Sequence, residues 1–508
     1  MEPTIKRYSH HFIVTGVESR YQRGIEAFAR GLVETDSNVD RFGNMQTTKI
    51  HTYAVKHHFE NGYRFHINHL QALTEFLNAG GLRFDSGPMI DLYEPESANF
   101  EVKDGWVPRD DQVPVIEYLS APGVKKVVDA QTGSGKTIMT MFALAKAKVR
   151  CALVIKPMYI SRWMDVLVGK DMVFKNFGSK NVMTVRGSAQ MGSIINLAKA
   201  GELMADFIVI SNRTYINYIQ HYDINGPSEE YGFCKPEDLW ETLGVGIRLI
   251  DEAHQDFFGC FLTDLHTHVP KTIELSGSLV PDKPFLKEMY EVMYPKDLRM
   301  NTGEYKRYVD VIALLYSLDL DMGIPRTTRR GRSSYSQAAY EEAIIKAPIR
   351  CRRLQDMMRS VCENFFMSER LPDHKLLVFF DTVGMCALMA DFYQELYPDL
   401  YVSKYTEEED PEVLDEADII IATPASAGTA VDITNLQQVH SFVMRSSTQA
   451  LIQMIGRLRK LSTNEVSPKY IYLCTNDIIT HQKYQYKIQD VYRYRAKSQE
   501  QRSLPNVI

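Results

Sequence analysis

The sequence has no CxxC pair. Its seven cysteines, at 151, 234, 260, 351, 362, 386 and 474, are scattered, and no histidine stands at zinc-ligand spacing from them, so a structural zinc site is not expected and the thiols read as reduced. No apolar run reaches the ~18 residues that a membrane helix needs. The first residues, MEPTIKRYSHHFIV, mix charge and histidine into a short apolar stretch, which argues against a signal peptide and for a cytoplasmic protein. Excess positive charge is missing as well: the net charge is −6 and the isoelectric point is near 6.2. A generally basic polyanion-coating protein is excluded, and any anionic polymer would have to be held by local basic patches.

What is present is enough apolar material for sizeable cores. The 508 residues are 44% hydrophobic, which corresponds to about three domains at 100 to 200 residues each. Residues 1–104 combine an alternating patch at Tyr63, Arg64, Phe65, His66 and Ile67 with the helical pattern LQALTEFLNAG, which stops at Gly80 and Gly81. They predict a small α+β accessory domain.

From residue 105 the pattern changes. Short β-branched runs (KKVVDA, ALVIKP, NVMTV, DFIVIS, IRLIDE, KTIELSGS) alternate with helix-length stretches, the rhythm of a parallel α/β sheet. A second series of this kind (KLLVFFD, DIIIATP, QVHSFVMR, KYIYLC) begins near residue 374. The expected architecture is therefore α/β, two parallel-sheet lobes in tandem behind the N-terminal domain. Lobe 1 is expected at 105–282, a helical basic connector at 283–350, lobe 2 at 351–478 and a basic, aromatic tail at 479–508.

Two short motifs carry chemistry. Strand-like residues 124–129 lead into AQTGSGKT and then into the helical IMTMFALAKAK, the strand–loop–helix order of a phosphate loop. Thr132, Gly133, Ser134 and Gly135 would turn backbone N–H groups toward phosphate oxygens. Lys136 would reach the β and γ phosphates, and the Thr137 hydroxyl would ligate Mg²⁺. Ala130 stands where the strict pattern has glycine. IRLIDEAH then places Asp251 and Glu252 directly after an apolar strand, at the sheet edge where ligands bind in such folds. Asp251 is expected to hold Mg²⁺ through water, and Glu252 to orient or deprotonate the attacking water. Alone, each motif could be a glycine-rich turn or an acidic helix start; in this order they predict an ATP and Mg²⁺ site.

Further motifs in sequence order make residues 105–475 resemble a superfamily 2 helicase of the DExH/DEAH type. Arg109 and Gln112 in VPRDDQ are similar to the adenine-reading motif of that family, with Asp111 where an aromatic is common. ALVIKPMYISRW, FIVISNRTY and Leu275-Ser276-Gly277-Ser278 resemble motifs Ia, Ib and III, and KLLVFFDTV resembles motif IV. IIIATPASAGTAVDI resembles motif V, with Thr423, Gly428, Thr429 and Asp432 at the matching positions for backbone and nucleotide contacts. QMIGRLRK, residues 453–460, is similar to motif VI. The resemblance implies that Gln453 and Arg457 act on the γ-phosphate, Arg457 as the arginine finger. A second Arg is usual where Lys460 stands, with Arg459 one place earlier; lysine lacks the planar fork, so the second finger is open between them. GRLRK also fits an ordinary basic helix face.

LSGSL and the domain order look like the UvsW group of phage helicases, related in their motors to RecG and XPB. That resemblance implies an ATP-dependent helicase or translocase, a monomer acting on single-stranded or branched DNA in replication, recombination or repair. The alternatives are an RNA helicase and an ATP-gated annealing or clamp factor. Two basic stretches could grip phosphates or equally be solvated faces: Arg326, Arg329, Arg330, Arg332, Lys346, Arg350, Arg352 and Arg353, and the C-terminal KYQYKIQDVYRYRAK. The acidic run from Glu407 through Asp418 is expected to face solvent, and His57, His58, His66 and His69 to be core or surface residues rather than ligands.

Overall fold

In a computed structural model the described residues are 3–16, 19–39, 45–57, 62–84, 86–131, 133–277, 279, 281, 283–302, 306–329, 334–406, 409, 412–427, 433–461, 463 and 466–508. The chain divides into two compact units, Met1–Thr302 and Gly303–Ile508.

The first unit begins with six antiparallel strands. β1 (Thr4–Arg7), β2 (His11–Thr15), β5 (Val55–His57) and β6 (Gly62–His66) form one sheet in the order β1-β2-β6-β5, and β3 (Val33–Val39) pairs with β4 (Met45–Thr52). Helices Ser19–Gly31 and Leu70–Ala79 complete this α+β layer. Seven parallel strands follow: β7 (Lys125–Asp129), β8 (Cys151–Ile155), β9 (Val182–Val185), β10 (Phe207–Ser211), β11 (Ile247–Ile250), β12 (Lys271–Ser276) and β13 (Arg299–Asn301), in the order β13-β7-β12-β11-β8-β10-β9. CALVI of β8 and FIVIS of β10 are buried at every position, as the centre of a parallel sheet covered on both faces requires.

The N-terminal layer shares a core with this lobe. Phe12, Phe65 and Leu73 pack in one cluster with Phe257, Phe261, Met289 and Tyr294. Beside that cluster lies a buried polar seam. Arg64 pairs with Glu237, His11 Nδ1 lies 3.1 Å from the Thr267 carbonyl, and Ser9 Oγ accepts from the Val269 amide at 3.0 Å. The alternation predicted for residues 63–67 is thus only partial: Arg64, Phe65 and His66 are all buried, because lobe 1 covers the face expected to meet water.

The second unit is a seven-stranded parallel sheet made of β14 (Asp310–Ser317), β15 (Lys375–Phe379), β16 (Val402–Tyr405), β17 (Ile419–Ala422), β18 (Leu436–Ser441), β19 (Lys469–Thr475) and β20 (Ser498–Val507), in the order β16-β17-β15-β18-β19-β14-β20. Alternate residues serve its two faces. Ile312, Leu314, Leu376 and Val378 join one core, while Val311, Ala313, Leu377 and Phe379 join the other, the period-two consequence of the pleat.

Two expectations change here. Residues 283–350, read as a helical connector, do hold helices Pro284–Met293 and Gln337–Ile345, but they also supply β13 to the first sheet and β14 to the interior of the second. Residues 479–508, read as a tail, form helix Ile479–Tyr492 and the strand β20 that pairs with β14. Charge around DVIALLYS hid a buried strand. Among the described residues no helix is long and apolar enough to cross a membrane.

Candidate nucleotide site

The phosphate-loop segment has the anticipated local order. β7 ends at Asp129 and helix Lys136–Ala147 starts at Lys136, with Gly135 at its N-cap in the left-handed region (φ 87°) and Gly133 also left-handed (φ 82°). Gly135 has no side chain with which to cap this helix, so among the described residues its first amides face the loop without the usual Ser or Asp oxygen at the N-cap. A Cβ on Gly135 would collide with the Gln112 side-chain amide. Glycine is required there by both conformation and contact.

Arg109 and Gln112 hold the loop from outside. Arg109 Nη2 donates to the Ser134 carbonyl at 2.7 Å and Gln112 Nε2 donates to the same oxygen at 3.0 Å. Asp111 pairs with Arg109 at 3.1 Å, so the position expected to carry an aromatic instead orients the guanidinium.

Lys136 is buried, and its ammonium donates to the Ala130 carbonyl at 3.1 Å. The DEAH segment leaves β11 at its carboxyl end. Asp251 is half-buried; desolvation and then the neighbouring Glu252 push its carboxyl above the usual range, and Lys136 pulls it back. That electrostatic link brings the lysine and the carboxylate into one site. Glu252 sits at φ 54°, a left-handed conformation that a non-glycine residue adopts at a cost. His254, held neutral chiefly by burial with a pKa of about 3, lies 3.0 Å from Ser276 Oγ at the end of β12. Two motifs read separately in the sequence thus meet through one hydrogen bond.

Whether this pocket suits Mg²⁺ and a nucleotide can be tested on its own atoms. Ser134 Oγ is buried with no hydrogen-bond partner among the described residues, Gly135 gives the helix N-terminus no side-chain cap, the Lys136 ammonium is buried, and Thr137, Asp251 and Glu252 supply a hydroxyl and two carboxylates. Anion-binding donors and hard oxygen ligands are what a magnesium–polyphosphate needs. The residues fit.

In the second unit, helix Thr448–Ile455 carries Gln453, and Arg457 follows in the turn at its end. Arg457 Nε donates to the Gln453 carbonyl at 3.3 Å, and Arg457 is buried whereas Lys460 is exposed. Arg459 donates to the Gly456 carbonyl. A groove at the carboxyl ends of β15 and β18 is lined by Tyr335, Gln337, Asp381, Arg445, Ser447 and Tyr484. Thr423, of motif V, is buried and bonded to Ser426 at 2.9 Å. Thr132, Ser278, Gly428, Thr429, Asp432, His58, Arg330, Arg332, Glu407, Glu408 and Asp410 lie outside the described residues.

Part of the basic stretch is structural. Arg350 is buried and donates to the carbonyls of Asp319 and Gly323, and Arg353 pairs with Asp319 at 2.7 Å. His66 and His69 are core residues. The sequence reading included Trp163 at the end of ALVIKPMYISRW but gave it no role; its indole N–H donates to Asp251 Oδ2 at 2.9 Å.

No protein family matches the sequence, and no curated protein does. The fold has likenesses among solved structures. One is Mss116p bound to ssRNA and AMP-PNP, with a TM-score of 0.50 at 14% identity over 77% of this chain and 74% of that one. The DEAD-box helicase Mss116 bound to ssRNA and UDP-BeF gives 0.49 at 14% identity over 77% and 74%. Mycobacterium smegmatis helicase Lhr bound to ssDNA and AMP-PNP gives 0.46 at 13% over 76% and 48%. At such identity the shared property is the fold alone; this chain has tandem RecA-like parallel-sheet lobes and a smaller N-terminal α+β region.

Proposed function

We propose that this chain is an ATP-dependent nucleic-acid helicase or translocase whose nucleotide is held by Lys136, Thr137, Asp251 and Glu252. The observation that carries the proposal is the junction of an uncapped helix N-terminus, a buried lysine and the Asp251–Glu252 pair at the carboxyl ends of β7 and β11. Gly133, Ser134 and Gly135 would direct amides at the phosphates, Arg109 and Gln112 would brace the loop and read the base, and Thr137 and Asp251 would hold the metal. Bound Mg²⁺ would draw negative charge from the phosphate oxygens. Glu252 is assigned to accept the proton of the attacking water. Gln453 and Arg457, with Arg459 or Lys460 as a second cation, are assigned to the γ-phosphate.

The track proposed is single-stranded nucleic acid, gripped by the loops after β8 and β10 and by the groove at Asp381 and Arg445. A solved structure of this fold holds ssRNA, which favours an RNA track. The LSGSL resemblance supports the second reading, branched DNA. ATPase assays with ssRNA, ssDNA, duplex and forked DNA separate the two: the proposal expects stimulation by a single-stranded polymer that Lys136→Ala abolishes, and no stimulation by any of the four would refute it. Strand displacement on a forked substrate then distinguishes a helicase from an ATP-gated annealing factor.

A further inference from the structure

We infer that Trp163 is a positioning residue for the Asp251 carboxylate and links the segment after β8 to the magnesium side of the nucleotide site, an inference that rests on the nucleotide-site assignment above. Trp163 lies on helix Ile160–Val168 and is 2% exposed. Its indole, a donor only, gives its N–H to Asp251 Oδ2 at 2.9 Å. The other oxygen, Oδ1, accepts the Glu252 amide at 2.9 Å. One donor on each oxygen fixes the rotation of the carboxyl group, and each oxygen keeps lone pairs for a metal-bound water.

The indole itself is held. It stacks near Phe207 of β10, with ring centroids 6.4 Å apart and planes 28° apart. Two further bonds join the same pair of segments. Tyr159 Oη donates to Gln255 Oε1 at 2.7 Å, and Lys156 Nζ donates to the Gln255 carbonyl at 3.3 Å. Lys156, Tyr159 and Trp163 therefore clamp residues 251–255 from one short stretch of chain. A buried tryptophan needs some acceptor for its N–H; here the acceptor is a carboxylate of the nucleotide site, so a shift of helix Ile160–Val168 moves that carboxylate. Strands or loops bound at 156–160 gain a direct mechanical route to the chemistry.

Trp163→Phe keeps the aromatic packing and removes the donor. Loss of a hydrogen bond to a charged group corresponds to roughly tenfold or more, so the variant is expected to lower kcat by roughly tenfold and to raise the Mg²⁺ concentration for half-maximal hydrolysis, with the KM for ATP little changed. A purely structural tryptophan would not move the Mg²⁺ dependence. The contact is also read without nucleotide: transverse-relaxation-optimised NMR of the full chain resolves the indole N–H resonances, and Trp163→Phe identifies the one from Trp163. Asp251→Asn and Asp251→Ala are expected to move it upfield, Ala further than Asn, and ssRNA or ssDNA to shift it in the unsubstituted chain. A resonance indifferent to both Asp251 variants, or Trp163→Phe with unaltered kcat and Mg²⁺ dependence, would overturn the inference. If the chain hydrolyses no ATP, the proposed function fails, while the resonance still decides the contact.

Discussion

Lys125 Nζ lies 2.6 Å from Asp264 Oδ2 and 2.8 Å from Glu274 Oε1, all three side chains buried at the root of the phosphate-loop strand. Arg248 pairs with Asp264 on its other oxygen, and Tyr294 Oη donates to Glu274 at 2.7 Å. Removing one partner of such a set strands a buried charge, at a cost of about 3 kcal/mol or more. Lys125→Met is expected to lower the unfolding free energy of the first unit by about 3 kcal/mol, seen as a fall in the urea midpoint followed by circular dichroism. An unchanged midpoint would show that Arg248 alone neutralises the two carboxylates.

At Gly135 the backbone is left-handed and Gln112 occupies the space of a Cβ. Alanine in that conformation costs about 1 to 2 kcal/mol and would push the Gln112 amide off Ser134. Gly135→Ala is expected to weaken ATP binding by roughly tenfold, as checked by titration with a fluorescent ATP analogue, and to lower the melting temperature by roughly 2 to 4 °C.

Stability should decline on acidification through the buried histidines. Burial lowers His69 from 6.5 to about 3, and both its ring nitrogens lack hydrogen-bond partners among the described residues. The unfolded chain therefore binds the proton more readily than the fold does, so the contribution of His69 is complete above pH 6.5 and is lost progressively as pH falls toward 3. His481, lowered to about 4 by burial, acts in the same direction. His69→Phe is expected to flatten the decline of melting temperature between pH 6.5 and 4; an equally steep decline would assign the acid sensitivity to other groups.

Under the proposed function, Arg457→Ala should reduce kcat by roughly 10³ and leave the Kd for ATP close to that of the parent chain. Comparison of Arg459→Ala with Lys460→Ala identifies the second cation. Arg459 is expected to matter more, because a guanidinium makes the bidentate fork that an ammonium cannot. Single-turnover hydrolysis measures both.

The legible parts of the fold and site were those written in neighbouring residues. Continuous apolar runs in KLLVF and IIIA announced strands because a parallel sheet covered on both faces buries every position, and GSGKT announced its loop because left-handed turns need glycine. DVIALLYS was overlooked because its partners, β19 and β20, lie far along the chain and only they explain a buried strand among charged neighbours. The basic stretch misled for a similar reason. Whether Arg350 faces a phosphate or two carbonyls depends on where the loop at 319–323 returns.

By itself, then, the sequence determined the strand–loop–helix of the phosphate site, the carboxylates at the end of β11 and the tandem α/β rhythm, since each follows from local conformational preference and short-range pattern. Only the tertiary structure decided that the N-terminal layer is sealed to lobe 1 through Arg64 and Glu237, that His254 meets Ser276, and that Trp163 holds Asp251. Those contacts join residues 22 to 173 positions apart, and a hydrogen bond at that separation is fixed by packing, which no local propensity encodes.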